Sequence, residues 1–147
     1  MNILQTFLLL FWIAFNSIGQ SQQRIDSIEM ILYTEHDPTQ KVKLTLSLFE
    51  ELKSSNQERA LYYAEQAYNL SLTNKYSEGE LRSLNALGEI YSDKTEFKIA
   101  MDYVVQAKLI AEQLDDMKQL CVALYNMGRI YTSLGNYEKS SELYYEC

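Results

Sequence analysis

Shifting the chain by forty residues against itself brings matching side chains into line, and no other feature of the sequence limits the fold so strongly. Leu44, Leu84 and Leu124 coincide, as do Gly88 with Gly128, Ile90 with Ile130, Tyr91 with Tyr131 and Phe97 with Tyr137. Ala60 and Ala100 fall opposite Ser140, and Ala67 and Ala107 opposite Cys147. The clearest fragments read Leu84-Asn-Ala-Leu-Gly-Glu-Ile-Tyr91 and Leu124-Tyr-Asn-Met-Gly-Arg-Ile-Tyr131. Each unit is then one supersecondary piece that buries its apolar face against its neighbours.

Every unit holds two helical patterns. Leu84, Leu87, Gly88, Ile90 and Tyr91 share one helical face, and Ile99, Ala100, Tyr103, Val104, Ala107, Ile110 and Ala111 form the next. The breaks are short and polar: Ser54–Asn56, Asp93–Glu96, and Leu134-Gly135-Asn136, where Gly135 can end a helix and Asn136 can cap the next. Short loops make paired helices antiparallel. Gly88 belongs where the two helices cross near Ala100, because a glycine inside a helix costs about 0.5–1 kcal/mol and close backbone approach offsets that. Tyr91, Tyr103, Tyr131 and Tyr144 fill space between units. The fold class is all-α, an α-solenoid of antiparallel helix pairs.

At these residues the chain resembles the tetratricopeptide repeat family. That pattern stands here as Leu124–Tyr131 with Met127 at the second Leu, Gly135–Lys139 including Tyr137, Ser140, Tyr144 and Cys147, and in the preceding unit as Leu84, Leu87, Gly88, Tyr91, Ala100 and Ala107. The spacing of forty exceeds the family's usual 34 and resembles a long-repeat subset with extra turns in the second helix. The first unit is degenerate. Its second helix fits through Ala60, Tyr63, Ala64 and Ala67, but Leu48 and Glu51 stand where Gly and Tyr are expected, and Leu52 implies a phase slip of one residue.

Residues 1–19 differ from the rest. An apolar run from Phe7 to Phe15 is followed by Ser17-Ile18-Gly19, the layout of a signal peptide cleaved after Gly19, and every charged side chain lies at or beyond Arg24. The run is too short for the roughly 20 apolar residues of a bilayer-spanning helix. The organisation expected is a signal peptide over 1–19, an N-terminal capping helix and turn over 20–40, a degenerate repeat over 41–80, a second repeat over 81–120 and an incomplete third over 121–147. Ile25, Ile28, Ile31 and Leu32 form the capping helix's apolar stripe, and Asp37-Pro38 starts the helix after it. The third unit's second helix would run further, so the chain reads as a fragment whose uncapped end favours self-association.

The residues carry no catalytic constellation. His36 is the one histidine and sits in the polar Glu35-His36-Asp37-Pro38 turn. No phosphate loop, no nucleophile elbow and no cysteine cluster is present, so neither enzyme activity nor a cofactor or metal is expected. A net charge of -7 argues against nucleic acid as a partner. Asp115-Asp116 reads as a solvated turn. Cys121 and Cys147 lie at adjoining ends of one helix pair. They could bridge in an oxidising compartment if their Cα atoms come within about 7 Å, and otherwise Cys147 reads as a small packing residue.

The resemblance implies that the first helix of each pair lines a concave, peptide-binding face. Carried onto this chain, the groove residues are Arg82, Asn85, Glu89, Tyr125, Asn126 and Arg129. They lack the Lys/Asn arrangement that clamps a C-terminal carboxylate in some family members. The order of signal segment, Ile25-Asp26-Ser27 and repeats also resembles extracytoplasmic bacterial proteins in which the repeats precede a membrane span and a sensor histidine kinase or helix-turn-helix output module. The expected function is therefore an exported, periplasmic or extracytoplasmic protein-binding module at the N-terminal end of a signalling protein. The alternatives are the input domain of a sensor kinase and a complete secreted scaffold. Membrane attachment is expected only through the signal segment or a span further along the parent. A reporter active only outside the cytoplasm, fused behind Gln20 in a bacterial host, is expected to be active; retention of the fusion in the cytoplasm contradicts export.

Overall fold

The computed structural model describes residues 20–147. The signal segment expected over 1–19 lies outside the described residues. The described chain is helical throughout: α1 over 20–34, α2 Pro38–Leu52, α3 Gln57–Thr73, α4 Ser77–Asp93, α5 Phe97–Leu114, α6 Met117–Ser133 and α7 Tyr137–Tyr145. Among these helices none is long and apolar enough to cross a membrane.

From α3 onward, helix starts recur every twenty residues, at Gln57, Ser77, Phe97, Met117 and Tyr137, and the turns explain why. Lys75, Thr95, Asp115 and Gly135 all have positive φ, at 54°, 62°, 53° and 78°. Each donates its N–H back three residues, and the next residue donates back five: Tyr76 to Ser71, Glu96 to Tyr91, Asp116 to Ala111 and Asn136 to Tyr131, at 2.9–3.0 Å. This paired pattern satisfies carbonyls that a helix end leaves free, and it needs a left-handed residue at its centre. The following residue caps the next helix; Asn56, Asp116 and Asn136 do so through their side chains.

The α2–α3 turn is the exception. Asn56 there donates to Leu52 only four residues back, and no left-handed residue intervenes. One residue is missing, so α2 runs 39 rather than 40 residues ahead of α4, and Leu52 takes the place of Tyr91. This shortened turn is the physical origin of the phase slip in the first unit. The helix pairs begin at Pro38, Ser77 and Met117, ahead of the pattern boundaries at 41, 81 and 121, because the repeat's signature residues sit a turn inside each helix. The length beyond the usual repeat is not confined to the second helix: α4 has 17 residues and α5 has 18.

Each helix packs on the next, and the first helices of the pairs also come close, α2 to α4 and α4 to α6, whereas the backbones of α3 and α5 stay further apart. Inner helices that meet and outer ones that splay make the α2–α4–α6 face concave. Crossings within pairs trade volume between the two helices. A Cβ on Gly88 would lie 2.2 Å from Val104 Cγ1 and 3.5 Å from the Ala100 carbonyl, and one on Gly128 would lie 2.4 Å from Tyr144 Cε1. Counted from the helix starts, the first pair reverses this: Phe49 holds the glycine's place, Ala64 holds that of Val104, and both are buried in one cluster. Tyr91 and Tyr103 stack at 5.6 Å between centroids. Ser140, buried in place of Ala100, hydrogen-bonds Thr132 at 2.7 Å.

Helix α1 lies against the first pair. Ile25 joins its core, Arg24 pairs with Glu51 of α2 at 3.1 Å, and Glu29 accepts from Arg59 and Tyr63 of α3. Ile31, assigned to the apolar stripe from its spacing, is instead half exposed, because the helix presents Ile25, Ile28 and Leu32 to α2 and α3.

Two ion pairs join successive inner helices at places forty residues apart in sequence, with opposite polarity. Lys53 reaches Glu89 at 2.9 Å, and forty residues on Asp93 accepts from Arg129 at 2.5 Å. Burial pushes the Lys53 ammonium down, but Glu89 and Glu50 outweigh it and hold its pKa above the ordinary lysine value. Arg129 is likewise raised: desolvation opposes, and Asp93 prevails.

Two outcomes follow in urea unfolding. Gly135→Ala is expected to cost about 1 kcal/mol, since nothing lies near the new Cβ and the whole penalty is its left-handed backbone, while Thr95→Gly is expected to gain about 1 kcal/mol. Lys53→Glu is expected to cost about 1 kcal/mol, and adding Glu89→Lys to recover most of it.

Candidate functional site

The concave face holds a cleft of about 160 Å³ between α2, α4 and α6. Leu46, Phe49 and Glu50 line it from α2, Arg82, Asn85, Ala86 and Glu89 from α4, and Gln119 and Val122 from α6. Of the residues expected in a groove, Arg82, Asn85 and Glu89 meet here. They lie three and four apart on α4, so one helical face delivers all three. Arg82 is exposed and has no ion-pair partner among the described residues. Glu89 is tied to Lys53 at the cleft's edge.

Asn85 is 4% exposed. Its amide nitrogen donates to the Gln119 carbonyl at 3.3 Å and to Gln119 Oε1 at 3.1 Å. Its Oδ1 is buried and has no partner. A buried acceptor left unsatisfied costs on the order of 1–3 kcal/mol. The cleft thus sets a guanidinium and a carboxylate over an apolar floor of Phe49, Leu46 and Val122, with the unmet Asn85 acceptor buried beneath its lining.

The other three expected residues sit elsewhere. Asn126 is buried and donates to the Asn85 carbonyl at 3.4 Å, so it fastens α6 to α4 instead of facing the cleft. It holds the register of Ala86, which lines the cleft from α4, but on α6 that place faces α4. Tyr125 is half exposed and its ring packs at 5.6 Å on Tyr144 of α7. Arg129 is consumed by Asp93. The sequence reading missed Gln119 and Glu50. Gln119 lies in the first turn of α6, and Glu50 follows from aligning α2 by its start, which the shortened turn conceals.

His36 is exposed, as its turn implied, and Asp116 is spent on capping α6 at Gln119. Among the described residues no group of His, Cys, Asp and Glu is arranged to hold a metal ion.

Comparison with known proteins agrees with this geometry. Residues 122–147 match the tetratricopeptide repeat family. A curated relative, tetratricopeptide repeat protein 29 of Trypanosoma brucei brucei, is 35% identical over 88 residues, covering 56% of this chain and 18% of the relative. The chain therefore spans less than a fifth of that protein's length. Helix-pair architecture, family match and relative converge on one description: in fold this chain is a tetratricopeptide-like helical repeat solenoid, whose residues 122–147 match the tetratricopeptide repeat family.

Proposed function

We propose that the chain is a non-catalytic interaction module that holds an extended segment of a partner protein in the cleft between α2, α4 and α6. Tetratricopeptide repeats generally mediate protein–protein interaction, and the observation that carries the reading here is the concave cleft itself, where Arg82 stands exposed and without an ion-pair partner among the described residues beside an apolar floor. Arg82 and Glu50 on the rim match a partner carrying both charge signs, and Phe49 and Val122 accept an apolar side chain between them.

The segment before α1 supports a wider proposal. The apolar run Phe7–Phe15 and Ser17-Ile18-Gly19 suit an export signal, and the order of that segment, Ile25-Asp26-Ser27 and repeats resembles the extracytoplasmic input end of a larger signalling protein. Its output module would be a sensor kinase or a DNA-binding regulator.

Selection from a displayed library of unstructured peptides tests the cleft. Binders are expected, and Arg82→Ala and Asn85→Ala are each expected to weaken the strongest of them about tenfold, near 1.4 kcal/mol, with helical content unchanged. Leu109→Ser on the outer face of α5 is expected to have no effect. Binding that ignores both cleft substitutions and falls with the outer one contradicts the proposal.

A further inference from the structure

The chain has two cysteines, and the fold sets them side by side. Cys121 lies in the second turn of α6 and Cys147 follows the end of α7. The Cys121 thiol donates to the Cys147 carbonyl at 3.1 Å, and the Cys147 thiol donates to the Cys121 carbonyl at 3.0 Å. Such reciprocal contact requires the two backbones to approach closely with both side chains turned into the gap between them.

The repeat gives this contact its meaning. Forty residues earlier the same two places hold Leu81 and Ala107, both fully buried in one cluster. One unit earlier still they hold Val42 and Ala67, again buried together. In each case a large and a small apolar side chain close the open end of the helix pair, and in the third pair two thiols replace them. That pair is also the one with the least packing to hold it: α7 has nine residues, buries Ser140 and Leu143, and leaves Tyr137, Tyr144 and Tyr145 exposed.

We propose that Cys121 and Cys147 form an intramolecular disulfide that clips α7 to α6. Exchange with a small-molecule disulfide such as oxidised glutathione supplies the oxidation. One cysteine thiolate attacks a glutathione sulfur, the S–S bond of the oxidant breaks, and one glutathione leaves. The second thiolate then attacks the protein sulfur of the mixed disulfide and expels the other glutathione. Two protein thiols lose two electrons to the oxidant's disulfide, and their protons end on the two glutathione thiols. Burial and the adjoining Cys121 push the Cys147 thiol up to about 11, so before oxidation Cys147 is a thiol and not a thiolate at neutral pH. The bond spans a separation of 26 residues and stabilises by restricting the unfolded chain.

Treatment of the purified full chain with oxidised glutathione tests this. Both free thiols are expected to disappear, the mass to fall by two hydrogens with no glutathione retained, and the chain to stay monomeric on a non-reducing gel. The thermal midpoint is expected to rise by about 5 °C or more over the reduced chain. Cys121→Ser and Cys147→Ser are each expected to retain one glutathione, which shows that each thiol can be reached. Glutathione kept on both cysteines of the unaltered chain, links between chains, thiols that stay unreacted, or a bridge that lowers the midpoint would each overturn the proposal.

Discussion

A left-handed residue at the end of a helix, once every twenty residues from Lys75 to Gly135, keeps this stack in register. Because each of these turns spends the same few residues on the same pair of backward hydrogen bonds, α4 and α6 start at the same height relative to their partners. Side chains forty apart then reach equivalent places. Three of the four left-handed positions are held by Lys, Thr and Asp, which pay a conformational penalty of roughly 1–2 kcal/mol each. Tertiary packing on both sides must outweigh that, and the four turns keep one geometry despite four different residues.

Packing within and between units follows from that register. Inside a pair, bulk is exchanged across the crossing: glycine faces valine or tyrosine, and phenylalanine takes the glycine's place where the partner position shrinks to alanine. Between units, Asp93–Arg129 follows Lys53–Glu89 forty residues on, with the charges swapped. Packing α2 directly on α6 would bring like charges together, Lys53 to Arg129. The alternation therefore favours one order of stacking as well as stabilising it. The same inner helices, drawn together by these pairs while the outer helices splay, form the cleft.

Much of this was legible in the residues. The forty-residue identities gave the helix pairs, Gly88 and Gly128 marked the crossings, and Asp37-Pro38, Asn56 and Asn136 marked helix starts. The turns at Lys75 and Thr95 left no such sign, since neither residue announces a left-handed backbone. The slip in the first unit showed at Leu52, but its cause, one missing turn residue, is a matter of hydrogen-bond geometry. Half of the expected groove residues meet in the cleft. The other three stand outside it on α6, because the resemblance that named them says nothing of their neighbours: Asn126 turns to α4, Arg129 pairs with Asp93 and Tyr125 packs on Tyr144.

The binding surface proposed for this solenoid is its concave side, with the cleft lined by Arg82, Asn85 and Glu89 at its centre. The most direct test is nuclear magnetic resonance of the isotope-labelled chain, titrated with the strongest peptide from a displayed library. The account predicts shift changes concentrated on Glu50, Arg82, Asn85, Glu89, Gln119 and Val122, with the Asn85 side-chain amide among the largest. Changes centred on the outer faces of α3 and α5, with those six residues unmoved, would contradict it.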